Sequence, residues 1–272
     1  MQHTLATIFV GSAAAQTFSG SATTYGPPGG VAVFGGNCGL MDSLPFAAAF
    51  HAALNTAQYG QGVHCGRCIQ VQCVGPRCKS HAKIIGQITD RCPECLYGGL
   101  DLTLPFFEQV TGDRTDSYPI SWQFVDCPVT GGVKVCAKSG SSPWWLAVQP
   151  TNTVGGVQSM QINGKPAALT APVINNYYFK TAQPTTDIPL DKTLVELTAF
   201  TGETIHATVA LRANECTQLP VQFQTRPPSP PPVCSTHEDG IDYYGNDIGN
   251  LPLVPPNAQL QRVHSGWKRV LP

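Results

Sequence analysis

Eleven cysteines constrain this 272-residue chain more than any other feature, and eight of them (Cys38, Cys65, Cys68, Cys73, Cys78, Cys92, Cys95, Cys127) fall within ninety positions. Two chemistries use cysteine at such density. Cys65-Gly-Arg-Cys68 and Cys92-Pro-Glu-Cys95 are C-x-x-C knuckles that could supply four thiolates to zinc. In an oxidising compartment, the even local count reads instead as four disulfides. The start of the chain favours the second reading. Residues 1–15, MQHTLATIFVGSAAA, join a short apolar stretch to Ala13-Ala14-Ala15, the pattern of a signal peptide cleaved before Gln16. Disulfides are therefore expected and a metal is not; Cys136 and Cys216 could close a fifth bridge, and Cys234 is left over.

The spacing between the cysteines is filled by turn-formers. With 27 Gly, 24 Pro and only 12% charged residues, many short strands and tight turns are expected, hence an all-β chain. The 16 basic and 17 acidic residues nearly cancel and form no basic stripe, which excludes duplex nucleic acid and an anionic membrane surface as partners. No later apolar run approaches the ~18 residues that span a bilayer, so a soluble mature protein with a neutral partner is expected. HAKIIGQIT and ISWQFVDC read as strands. Pro45–Tyr59, PFAAAFHAALNTAQY, predicts the one clear helix, opened by Pro, rich in Ala and stopped by Gly60, with His51 packed or solvated upon it. Past a hinge at 128–132, the segments VKVCAKSG, WWLAVQP, VQSMQING, LVELTAF and TIHATVALRA alternate like the strands of a small β-sandwich. RPPSPPPVC then reads as a semi-rigid polyproline linker.

Five stretches in order, GSATTYG (20–26), GGNCG (35–39), HCGRCIQVQC (64–73), ITDRCPE followed by GGLDLT, and GSSPWWLAVQ, are similar to the successive signatures of the expansin family. The resemblance covers roughly residues 19–220. It implies a six-stranded double-psi β-barrel (17–128) followed by an immunoglobulin-like carbohydrate-binding β-sandwich of family 63 type (133–220), then the linker (224–233). It further implies a secreted, monomeric protein of the cell wall that binds cellulose, xyloglucan or another β-glucan and loosens the network without cutting it or using a cofactor. The bridges implied are Cys38 with Cys65, Cys68 with Cys127 and Cys73 with Cys78; proximity leaves Cys92 with Cys95. The tail, 234–272, resembles the opening of an apple (PAN) domain cut short, in which Asp239, Asp242 and Asp247 form a solvated loop rather than a calcium site.

Residue by residue, the resemblance makes Thr23 and Asp90 polar groove residues and Asp101 the acidic residue on which loosening depends. A groove tyrosine of bacterial members is replaced here by Cys92. Trp144 and Trp145 match the first two aromatics of a linear cellulose platform. The third falls on Asn176, with Tyr177 and Tyr178 adjacent, and Lys138 matches a lysine beside the platform. Successive strand residues face opposite ways, so both tryptophans can share a surface only if the backbone leaves a regular strand after Pro143. The barrel is shared with family 45 glycoside hydrolases, which makes a weak endoglucanase the rival. Those enzymes take their general base from the first barrel strand, but residues 1–41 contain no Asp or Glu. Asp90 could replace that base, or could simply accept backbone amides near a strand end. A pure polysaccharide-binding or recognition protein is the third class.

Overall fold

The computed structural model describes residues 16–27, 32–169, 176–181 and 187–225, together with the backbone of 259–263 and 266–270. The expected signal peptide, most of the expected proline-rich linker, Cys234 and the three tail aspartates lie outside the described residues. Among the described residues, no helix is long and apolar enough to cross a membrane.

Six strands close a barrel: β1 (Thr17–Tyr25), β2 (His51–Asn55), β3 (Cys68–Cys73), β4 (Ile84–Cys92), β5 (Leu100–Thr103) and β6 (Tyr118–Val125), in the order β1-β5-β2-β4-β3-β6. Closure removes free sheet edges. Ala22, Leu54, Ile69, Ile88, Leu102 and Ile120 are buried in its apolar core. The strands expected in HAKIIGQIT and ISWQFVDC are β4 and β6.

The predicted helix over Pro45–Tyr59 does not form. Pro45–Ala48 makes one 3-10 turn, His51–Asn55 is the central strand β2, and only α1 (Thr56–Tyr59) is α-helical. Alanine's helical preference is worth about half a kcal/mol per residue, which tertiary burial readily overrides. Every β2 residue is buried, with ladders to β4 on one side and β5 on the other. His51 is correspondingly a core strand residue whose Nδ1 meets the Ala47 carbonyl at 2.6 Å, and burial lowers its pKa. Gly60 does act as a stop, with φ of +57°. The longer helix is α2 (Leu104–Thr111), which buries Phe106, Phe107 and Val110 and was hidden in the sequence by Pro105.

Eight more strands, β7 (Lys134–Ala137), β8 (Ala147–Thr151), β9 (Val157–Ile162), β10 (Lys165–Leu169), β11 (Phe179–Thr181), β12 (Thr193–Ala199), β13 (Thr204–Val209) and β14 (Cys216–Gln218), pair in the order β13-β12-β9-β10-β11-β8-β7-β14. Val135 and Val148 from one end, and Val157, Val195 and Leu197 from the other, join one apolar cluster, as the layers of a sandwich do. The barrel and these strands form one compact unit. Buried Gln149 helps join them: its Oε1 accepts from the Met41 amide and its Nε2 donates to the carbonyls of Gly39 and Tyr177. In the second unit, β15 (Gln259–Val263) and β16 (Gly266–Val270) form a hairpin.

Disulfides join Cys38 to Cys65, Cys68 to Cys127, Cys73 to Cys78, Cys92 to Cys95 and Cys136 to Cys216. The last pair lies directly opposite in the β7–β14 ladder. Both C-x-x-C knuckles are therefore oxidised, and no thiolate of theirs is left for zinc.

Candidate functional site: a carboxylate groove and a tryptophan turn

Strand register builds the groove. Thr23 of β1 pairs with Asp101 of β5, Asp101 pairs with Ala53 of β2, and Ala53 pairs with Asp90 of β4. Four adjacent strands thus present Thr, Asp, Ala and Asp at one level, with the small Ala53 between the two acids. Two strand spacings place the Asp90 and Asp101 backbones about 9–10 Å apart.

The two acids are held differently. Thr23 donates its hydroxyl to Asp101 Oδ1 at 2.8 Å. Burial raises the Asp101 pKa, the Thr23 hydrogen bond opposes the rise, and the carboxylates of Glu94 and Asp90 add to it. Burial of Asp101 thus works in favour of its neutral form. Asp90 Oδ1 accepts the backbone amides of Asn37 and Arg91, each at 2.7 Å, so it ties the 32–39 loop to the end of β4. Burial also raises the Tyr25 phenol, with Asp90 a second cause; the sequence reading missed this residue, although it is β1's next aromatic after Thr23.

The Cys92–Cys95 clip forms another wall. It carries Glu94, which the sequence reading also missed, and Cys92, Glu94 and Asp101 bring one donor atom each within 4.8 Å of one another. A disulfide sulfur bears no thiolate charge, so the set reduces to two carboxylates, too few for a zinc site. The first acid of the chain, Asp42, is elsewhere: its Oδ2 pairs with Lys134 Nζ at 3.0 Å, across the barrel–sandwich junction.

On the sandwich, Ser142 and Trp145 exchange backbone hydrogen bonds of 2.7 and 3.1 Å around a Pro143–Trp144 turn, so the backbone does leave a regular strand here. Trp144 at the apex is 57% exposed. Trp145 is half-buried, with Lys180 Nζ 5.7 Å from its ring. Tyr177 and Tyr178 are corrected: they are 1% and 5% exposed and cannot offer a face to a polymer. Tyr177 donates its hydroxyl to the Val157 carbonyl and Tyr178 donates to the Gly39 carbonyl, so both fasten sandwich or barrel backbone. Lys138 lies 5.1 Å over the Tyr178 ring.

No family model matches the chain. Expansin-A17 of Oryza sativa subsp. japonica is 30% identical over 163 residues, 53% of this chain and 57% of that protein. Expansin-YoaJ of Bacillus subtilis (strain 168) is 30% identical over 132 residues, 47% of this chain and 54% of that protein. The chain thus spans a little over half the length of these curated relatives. The solved apo expansin of Clavibacter michiganensis matches with a TM-score of 0.63 and 25% identity, over 78% of this chain and all of that one. A point mutant of Clavibacter michiganensis expansin in complex with cellohexaose, at 24% identity, matches in fold with the same TM-score. The fold likeness extends over the full length of the solved apo protein. By sequence over about half of their length, and by fold, the chain is similar to expansins.

Proposed function

We propose that the protein is secreted, binds cellulose or a related β-glucan such as xyloglucan, and loosens cellulosic wall networks without hydrolysis. The observation that carries this reading is the single level of Thr23, Asp101 and Asp90 across four barrel strands, with Thr23 bonded to Asp101 and no acidic residue on β1. Five disulfides support an oxidising, extracellular setting. The groove offers hydroxyl and carboxylate partners to sugar hydroxyls, and Trp144 offers an exposed indole on which the C–H face of a pyranose packs. Inverting hydrolysis needs two carboxyls roughly 6.5–9.5 Å apart with a water between them, one acting as base. Asp90 Oδ1 is committed to two backbone amides, and β1 offers no carboxylate to act as base.

One observation favours a second reading. Oxygen atoms of Glu94 and Asp101 lie within 4.8 Å, near the roughly 5–5.5 Å carboxyl spacing of retaining glycosidases. One assay separates the two: the protein and an Asp101→Asn variant are incubated with cellulose and with a cellulosic wall strip. Weakening without reducing-sugar release, abolished in the variant, is the expected result. Asp101-dependent sugar release that also disappears in Glu94→Gln would replace loosening by hydrolysis.

A further inference from the structure

We infer that the tip of the Cys92–Cys95 clip is a pyranose-stacking subsite, with Tyr97 as its face, for the same β-glucan strand that the groove engages; the inference rests on the polysaccharide-binding reading above. Leu96 and Tyr97 are 84% and 64% exposed, an adjacent apolar pair that the core does not use. Their backbone is nevertheless fixed on both sides. The Cys92–Cys95 bridge ties the near side. On the far side Gly99 donates its amide to the Leu96 carbonyl, Gly98 donates to Gln58 Oε1, and the Gly98 carbonyl accepts the buried Trp122 indole N–H. Tyr97 also meets Phe18 edge-on at 6.3 Å. An exposed aromatic on a pinned knuckle is pre-organised for a ligand rather than for folding.

The surroundings identify the ligand class. One cleft runs from Tyr97 to Glu94 and to Thr23, the donor to Asp101. A second cleft runs from the same ring to Gln16 and Gln58. Gln58 is 8% exposed, and its amide nitrogen has no hydrogen-bond partner among the described residues. A ring face flanked by hydroxyl, carboxylate and amide groups matches an equatorially substituted pyranose, apolar on its faces and hydrogen-bonding at its edges. The clip thereby supplies an aromatic to a groove in which Cys92 offers none.

The test uses cellohexaose and the full chain carrying Trp144→Ala, which silences the sandwich tryptophan. Adding Tyr97→Ala is expected to weaken the remaining cellohexaose affinity about fivefold to tenfold, and Tyr97→Trp to preserve it, with melting temperatures unchanged in both. Equal affinity with and without the Tyr97→Ala substitution overturns the subsite. An otherwise native protein that neither binds cellohexaose nor weakens a wall strip sinks the parent reading and the subsite with it. Native weakening of the strip, undiminished in Tyr97→Ala, sinks the subsite alone.

Discussion

Acidification should loosen the barrel–sandwich junction through one histidine. His64 stacks on Phe124 of β6 at 4.9 Å and on Phe200, in the β12–β13 turn, at 5.0 Å, while Arg67 Nη1 donates to its Nδ1 at 2.8 Å. The Arg67 guanidinium itself lies 3.8 Å from the Phe124 ring centre and 4.0 Å from that of Phe200. A neutral imidazole fits this sandwich; an imidazolium would be desolvated, would lose its acceptor at Nδ1 and would face a cation. The His64 pKa is accordingly pulled down to about 4, by burial first and Arg67 second. A histidine depressed in the folded state contributes stability that is whole above its unfolded pKa of about 6.5 and is lost as pH falls from there towards 4. The loss amounts to about 3 kcal/mol on the scale of 1.36 kcal/mol per pH unit. Chemical unfolding of the disulfide-intact protein at pH 7, 5.5 and 4 measures it. His64→Phe keeps the stack and removes the titration, so its stability should fall less over this range by about that amount. Asp101 works in the opposite direction, because a raised carboxylate pKa favours the folded state more as pH falls, but it is common to both proteins and cancels in the comparison. Identical pH slopes in the two proteins would refute the reasoning.

Other perturbations separate groove, platform and scaffold. A Cβ on Gly36 would lie 2.8 Å from the Asp90 Cβ, so Gly36→Ala should displace the Asn37 amide from Asp90 and reduce wall weakening while both acids remain; unchanged extension would show that this tether is dispensable. Trp144→Ala should lower cellulose affinity about fivefold to tenfold in a pull-down, with unfolding unaffected. Cys92→Ser/Cys95→Ser opens a three-residue separation and should cost about 2 kcal/mol at most in denaturant, against about 4 kcal/mol for Cys68→Ser/Cys127→Ser, whose separation is 59. The clip variant should nonetheless lose the larger share of wall weakening, since the clip walls the groove.

Much of the framework is legible in local sequence. Cysteine count and spacing imply an oxidised chain, and Pro and Gly punctuation marks out β4, β6 and most strands of the sandwich, because turn chemistry and two-residue alternation are local properties. Thr23, Asp90, Asp101 and Trp144 are candidates carried by motifs, and their roles belong to the proposal above. The remainder depends on partners distant in the chain. The alanine-rich segment 45–59 became the central barrel strand because β4 and β5 hydrogen-bond to it from both sides, a gain invisible to local propensity. Its Ala53 then became the spacer that sets Asp90 and Asp101 at one level. Tyr177 and Tyr178 read as surface aromatics beside Asn176, yet barrel backbone at Cys38 and Gly39 draws them into the junction, where Tyr177 donates its amide to Cys38 and Tyr178 its hydroxyl to Gly39. Leu96 and Tyr97 are apolar by residue type, yet they lie exposed on a backbone held by the disulfide and the glycine turn, a placement set by tertiary context. Residue chemistry travels with the sequence, whereas burial and register belong to the closed barrel and to the sandwich packed against it.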